Sequence, residues 1–249
     1  MARRGKSGNR EPRRWTFVLA AMVAGLVVVG AVFVELSSPS GSSTSTQPTD
    51  TPTPSDSPTP TVTPSDNSTT GLGCGVTDTS QKLPTTTPRG ITWVVWRKAA
   101  LPRSSAAGPL EVDDSTGVTG CYADTPVGAV LAAVNISYRA TLSAPDTTII
   151  DEQVADGPYK QKLRVLAAQY QAPDSFPQLA GFRFISYSKQ YATVSIAIGN
   201  ENGYATSQTQ VMWQGGTWKM VATADDLDTS SSWQDVDDID GYVPLKGVG

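Results

Sequence analysis

An uncharged apolar run from Trp15 to Val34, WTFVLAAMVAGLVVVGAVFV, restricts this chain more than any other feature. At 1.5 Å rise per residue, 20 residues make a helix of about 30 Å, the thickness of one hydrocarbon core. The run predicts a transmembrane helix over residues 15–36. The rival reading is a cleaved secretory signal. An apolar signal core spans only about 7–15 residues and ends at a small-x-small site, whereas this run is longer and leads into VELSSPS. Arg13 and Arg14 flank Trp15, with Arg3, Arg4, Lys6 and Arg10 further upstream. Such a cluster stays on the cytoplasmic side, and a tryptophan suits the interfacial belt. The expected localisation is therefore the cell membrane, single-pass, with residues 1–14 as a basic cytoplasmic head and the C-terminal part extracytoplasmic.

Residues 37–70 hold 20 Ser or Thr and seven Pro, with Val62 the only large aliphatic side chain. Such a segment buries too little surface to offset ordering entropy, which predicts a disordered stalk. In polyproline II it would reach roughly 105 Å, and as a flexible coil it would span about 30 Å. O-glycosylation and a plain spacer are both compatible with this composition.

The chain has no histidine and two cysteines. That excludes a Ser-His-Asp hydrolase, a Cys-His protease and a His-ligated zinc site. No nucleophile elbow, phosphate-binding loop or dinucleotide fingerprint occurs, so no enzyme activity, cofactor or metal is expected. The net charge of −4 divides unevenly: the first 14 residues carry six cations against Glu11, and the remainder carries 13 cations against 22 acids. An acidic body argues against direct nucleic-acid binding by the folded part.

Residues 71–224 read as the ordered domain. ITWVVW (Ile91 to Trp96) is a strand between turn signals, and GPLEVDD with GVTGCYA suggests two short strands joined by Asp113 to Gly117. Asp124-Thr125-Pro126 offers a cap and an N1 proline for a buried helix, with Val127, Val130, Leu131, Val134 and Tyr138 on one stripe. Two more helical stretches follow, over about 147–154 and after Asp156-Gly157-Pro158, the latter with Leu163, Leu166, Ala167 and Tyr170 at helical spacing. From Gly181 the period becomes two, and FRFISYS, YATVSIAIG, YATSQTQVMW and TWKMVATA read as an antiparallel meander. The expected fold class is α+β: helices packed on a curved four-stranded sheet, with short strands before them and Val211, Trp213, Trp218 and Met220 at the interface.

Cys74 and Cys121, the only thiols, both fall on the exported side and are expected to form a disulfide. It would close a loop of 48 residues and stabilise by up to ~4 kcal/mol. A redox pair lacks the C-x-x-C spacing, and Cys74 has no lipobox. Residues 225–249 form an acidic tail expected to be irregular. Asp225, Asp226, Asp228, Asp235, Asp237, Asp238 and Asp240 invite a calcium reading, but Ile239 falls where a ligand is needed. Asn67 and Asn135 fit glycosylation tripeptides without supporting a site. Asp151, Glu152 and Tyr138 are the positions a catalytic cavity would draw on.

The order of these parts, ending Gly-Gly-Thr-Trp-Lys, resembles membrane-anchored proteins that carry cone-shaped domains of the nuclear transport factor 2-like type. The segments GCGVTDTSQKLPTTTPRGITW, AAGPLEV and CYADTPVGAVLAAVNI resemble exported proteins accompanying integrative conjugative elements of high-GC Gram-positive bacteria. The layout is also similar to TcpC-like components and to the single-helix assembly components of type IV secretion systems. The resemblance covers about residues 72–224. It implies a non-enzymatic scaffold of a conjugative DNA-transfer apparatus, acting on other membrane or secretion proteins and by self-association. An accessory protein of a lipid importer and an extracytoplasmic binding domain for cell wall or a small ligand are the alternatives.

Overall fold

The computed structural model describes residues 74–200, 203–228 and 233–246. All belong to one compact unit, residues 62–249. The basic head, Arg13, Arg14, Trp15, the apolar run and the stalk lie outside the described residues. Among the described residues no helix is long and apolar enough to cross a membrane.

A buried helix organises the domain. Helix α1 (Pro126–Ser143) starts where Thr125 accepts a hydrogen bond from the Gly128 N–H at 3.2 Å, with proline in the first turn. Such a cap satisfies one of the donors a helix start leaves unpaired. Fourteen of its 18 residues are buried, because both sides of the helix are covered. On one side lies the hairpin β1 (Ile91–Trp96) and β2 (Ala99–Ser104), where the buried Asn135 side chain donates to the Pro102 carbonyl at 2.8 Å. A two-residue pair follows, β3 (Glu111–Val112) with β4 (Thr119–Gly120). After α1 come α2 (Thr148–Gln153) and α3 (Lys160–Gln169). No residue of α3 is buried, so its helical spacing produces a peripheral helix whose Leu163 and Ala167 only border the core.

On the other side of α1 lies an antiparallel sheet of β5 (Gln178–Tyr187), β6 (Tyr191–Asn200), β7 (Gly203–Gln214), β8 (Thr217–Val221), β9 (Gln234–Val236) and β10 (Val243–Pro244). Phe182, Val194, Ile196, Val211, Trp218 and Met220 are buried in the core. The Trp218 indole N–H donates to the Ala123 carbonyl at 2.9 Å, just ahead of α1. Gly128 permits this packing, since a Cβ there would stand 2.0 Å from the same carbonyl oxygen.

This architecture overturns the expected helices on a curved four-stranded sheet of nuclear transport factor 2-like type. The domain is mostly β and its sheet has six strands. The difference lies in the tail. Strand β8 pairs with residues 210–214 of β7, and β9 pairs with residues 204–206 of the same strand. The chain then reaches the far edge of the sheet, where β10 pairs with β5 as Val243↔Phe182 and Pro244↔Gly181. On the way the Tyr242 hydroxyl meets Ser195 Oγ at 2.7 Å, and the Arg183 guanidinium lies 4.8 Å from the Tyr242 ring centroid. Leu245 is fully buried, and its N–H donates to the Ala180 carbonyl at 3.1 Å. Strands of two or three residues among aspartates present no alternation to read, which is why the sequence pattern suggested only four.

Leu245→Ala is therefore expected to destabilise the domain by about 2–5 kcal/mol, as truncation of a buried leucine does. Chemical denaturation reads this directly. A change below about 0.5 kcal/mol, the range of surface substitutions, would mean that the tail does not belong to the fold.

Candidate functional site

The expected disulfide is present: Cys74 and Cys121 are bonded, with Cα atoms 5.6 Å apart. It holds the first described residues against the strand-rich front of the domain. From there the chain is placed by backbone bonds, as the Thr77 and Asp78 N–H groups both donate to the Ala106 carbonyl at 2.9 Å.

This lead-in segment delivers polar groups to the start of α1. Thr125 Oγ1 donates to Asp78 Oδ2 at 2.8 Å, and Gln81 Nε2 donates to the Asp124 carbonyl at 2.7 Å. From the sheet, the Tyr187 hydroxyl donates to Gln81 Oε1 at 2.9 Å. Asp78, Gln81, Asp124, Thr125 and Tyr187 thus form one linked group. An aromatic row runs beside it: Phe184 to Tyr187 at 5.6 Å, Tyr187 to Trp218 at 6.4 Å, and Trp218 to Trp213 at 5.5 Å between centroids. Asp124 Oδ1 is buried without a hydrogen-bond partner. Burial raises the Asp124 carboxyl above its usual range, against the opposing charge of Lys189. Burial, with the nearby charges of Asp124 and Asp78, pushes the Tyr187 hydroxyl up to about 12. The arrangement places hydrogen-bond acceptors and the Thr125 and Tyr187 hydroxyls beside an apolar aromatic wall.

Asp124-Thr125-Pro126 reads in sequence only as a helix start. Its contacts with Asp78 and Tyr187 depend on segments 47 and 62 residues away, so no local spacing marks them.

The three positions considered for catalysis are not brought together. Tyr138 is buried with its ring 4.7 Å from Phe176, and its hydroxyl has no partner. Burial there raises the tyrosine well above its ordinary value. Asp151 and Glu152 are exposed on α2. Asp151 Oδ1 accepts from Arg164 Nε at 2.7 Å, and Lys160 Nζ donates to Asp156 Oδ1 at 3.0 Å. These charges line a shallow, open pocket of about 300 Å³ that Tyr138 does not reach. Paired in this way, they make a surface ion-pair corner of little energetic weight. Among the described residues no group of three or more Cys, Asp or Glu is placed to hold a metal ion.

A disulfide-closed, mostly β domain, with one helix enclosed between a hairpin and a six-stranded sheet, is the class these observations define. The chain belongs to the family described as "Domain of unknown function (DUF8175)", which matches residues 41–244. No curated protein matches the chain. No solved structure matches it either.

Two predictions follow from the local geometry. Replacing both cysteines by serine is expected to cost about 2–5 kcal/mol, measured by denaturation against the oxidised protein. In the β3–β4 turn, Asp113 Oδ1 accepts from the Ser115 hydroxyl at 2.6 Å, the Ser115 N–H at 2.8 Å and the Thr116 N–H at 3.2 Å. These bonds, the hydroxyl first, push its carboxyl down to about 2. Because the folded value lies below the ordinary 3.8, the stabilisation these bonds supply is complete above that value and is lost as pH falls through about 2. A carboxyl-carbon NMR titration is expected to find the midpoint near 2, moving up toward the ordinary value in Ser115→Ala.

Proposed function

We propose that this protein is a membrane-tethered, exported, non-enzymatic scaffold of a conjugative DNA-transfer apparatus, working through protein contacts of residues 74–246. The Cys74–Cys121 bond carries the export part of this reading, since such bonds persist in oxidising compartments and are rare in the cytosol. The 20-residue uncharged run behind six cations supports an anchor with its head in the cytoplasm. The Ser/Thr/Pro-rich residues 37–70 then act as a spacer. The client is suggested by the resemblance of the segments within residues 72–224 to exported proteins of conjugative elements.

A contact role also suits the surface. Tyr191 is 54% exposed and Ile185 49% exposed on neighbouring strands, and Met212 lies directly across from Tyr191. Apolar side chains that lie together, as Tyr191 and Met212 do across the strand pair, mark interaction surfaces more often than isolated ones do. A domain tethered to the bilayer by a long spacer stays among other membrane-held proteins, so a membrane protein of the same apparatus is the partner assigned to this face.

Two measurements test the reading. Protease added to intact cells is expected to remove the C-terminal domain while sparing the basic head. Affinity purification of the full chain from donor cells is expected to recover at least one other transfer-apparatus protein, and Tyr191→Asp is expected to lower that recovery at least tenfold with the melting temperature kept. Recovery of the mature chain free in the medium, or of no transfer-apparatus protein, would overturn the proposal.

A further inference from the structure

The second cluster of charge in this domain is cationic and lies where α1 meets the first hairpin. Arg139 is the only charged residue of α1 and is 0% exposed. Its guanidinium carbon lies 4.7 Å from the Trp96 ring centroid, and its Nε reaches Asn135 Oδ1 at 3.4 Å. Its Nη1 is buried and has no hydrogen-bond partner. Arg97 places a second guanidinium over the same indole, 4.6 Å from the centroid, while its Nη1 donates to the Leu142 carbonyl. Arg97 holds this position with φ at 50°, a left-handed conformation that glycine or asparagine adopts more easily in a hairpin turn. Arg103, on β2, is near enough for its charge to bear on Arg139. The salt bridges among the described residues join Lys98 to Asp174, Lys160 to Asp156 and Arg164 to Asp151, so none of the three arginines takes part in one.

A buried cation without a paired anion costs several kcal/mol in desolvation, which stacking on an indole offsets only in part. Two guanidiniums over one indole in an otherwise acidic domain add mutual repulsion. An anion between them relieves both terms, and guanidinium forks match the paired oxygens of phosphates and carboxylates.

We propose that Arg97 and Arg139 form an anion-binding site around Trp96 that takes a phosphate- or carboxylate-bearing ligand. The site is independent of the scaffold reading above. Its cover is the Asp113–Gly117 turn, where Gly117, at φ 82°, packs so closely that a Cβ there would stand 2.6 Å from Trp96. That turn is joined to the domain through the pairs Glu111↔Gly120 and Val112↔Thr119. It carries Asp114, an exposed carboxylate whose charge also reaches Arg139 without bridging to it. Asp114 acts as the resident competitor that an incoming anion displaces. The ligand enters past Arg97, which is exposed.

The test uses the full chain in detergent, titrated with low-millimolar inorganic phosphate and separately with citrate. Ionic strength is held constant with chloride, and tryptophan fluorescence and melting temperature are read together. At a hundredfold excess over Kd, a saturable rise of about 5 °C is expected for a domain of this size. Arg97→Gln, at the exposed side of the cluster, is expected to weaken binding at least tenfold. Asp114→Asn is expected to tighten it a few-fold by removing the competitor. Preference between phosphate and citrate identifies the ligand class. Arg139→Met tests the buried member, and where it fails to fold the Arg97 and Asp114 variants decide. No saturable response to either anion, or an equal response in Arg97→Gln, overturns the site.

Discussion

Everything in this domain is arranged around the enclosure of α1. A helix covered on both sides needs small residues where neighbours press closest and a partner for nearly every polar atom it carries inward. Gly128 meets the first requirement against the Ala123 carbonyl. Asn135 meets the second by donating to Pro102, while Ser137 and Thr141 turn their hydroxyls back to the Ala133 and Ser137 carbonyls of their own helix. Trp218 then ties the sheet to the residue ahead of the cap. The hairpin and the sheet are thus held in register through one element. Three buried polar atoms of the helix depart from this economy, the Tyr138 hydroxyl, Ser143 Oγ and Arg139 Nη1, and of these only Arg139 carries charge.

The sheet shows a second constraint, the closing of its edges. Exposed strand edges invite pairing with other chains. Here the outer edge of β7 is divided between β8 and β9, and part of β8 is covered where the Ala155 N–H donates to the Met220 carbonyl. The edge of β5 takes β10. The acidic tail is thereby a working part of the sheet. Its Asp226 is partly buried and accepts from Thr223, its other described aspartates are exposed, and Val243 and Leu245 are buried.

How much of this could be read from residues alone follows the range of each signal. Helix α1 was legible because a cap, an N1 proline and an apolar stripe occur together within a few residues. Strands β5 to β8 were legible because alternation runs along β6 and turn residues, glycines among them, separate the apolar runs. The tail strands were not, since two residues cannot display a period. The third helix shows the reverse failure: its spacing is helical, yet a stripe alone does not say whether anything packs on it. Neither polar cluster was legible. Asp124 and Tyr187, or Arg97 and Arg139, meet through long-range topology, and the residues that composition did nominate, Asp151, Glu152 and Tyr138, divide between the surface and the core.

The position of the disulfide has a mechanical meaning. Any pull arriving from the N-terminal side enters the folded domain at Cys74 and crosses by a covalent bond to Cys121, five residues ahead of α1. The 46 residues between them, including the hairpin and the β3–β4 pair, therefore carry no load along the backbone. Traction is delivered to the end of the central helix, whose cap and neighbouring tryptophan bond would have to shear together, while the front of the domain is spared from unzipping.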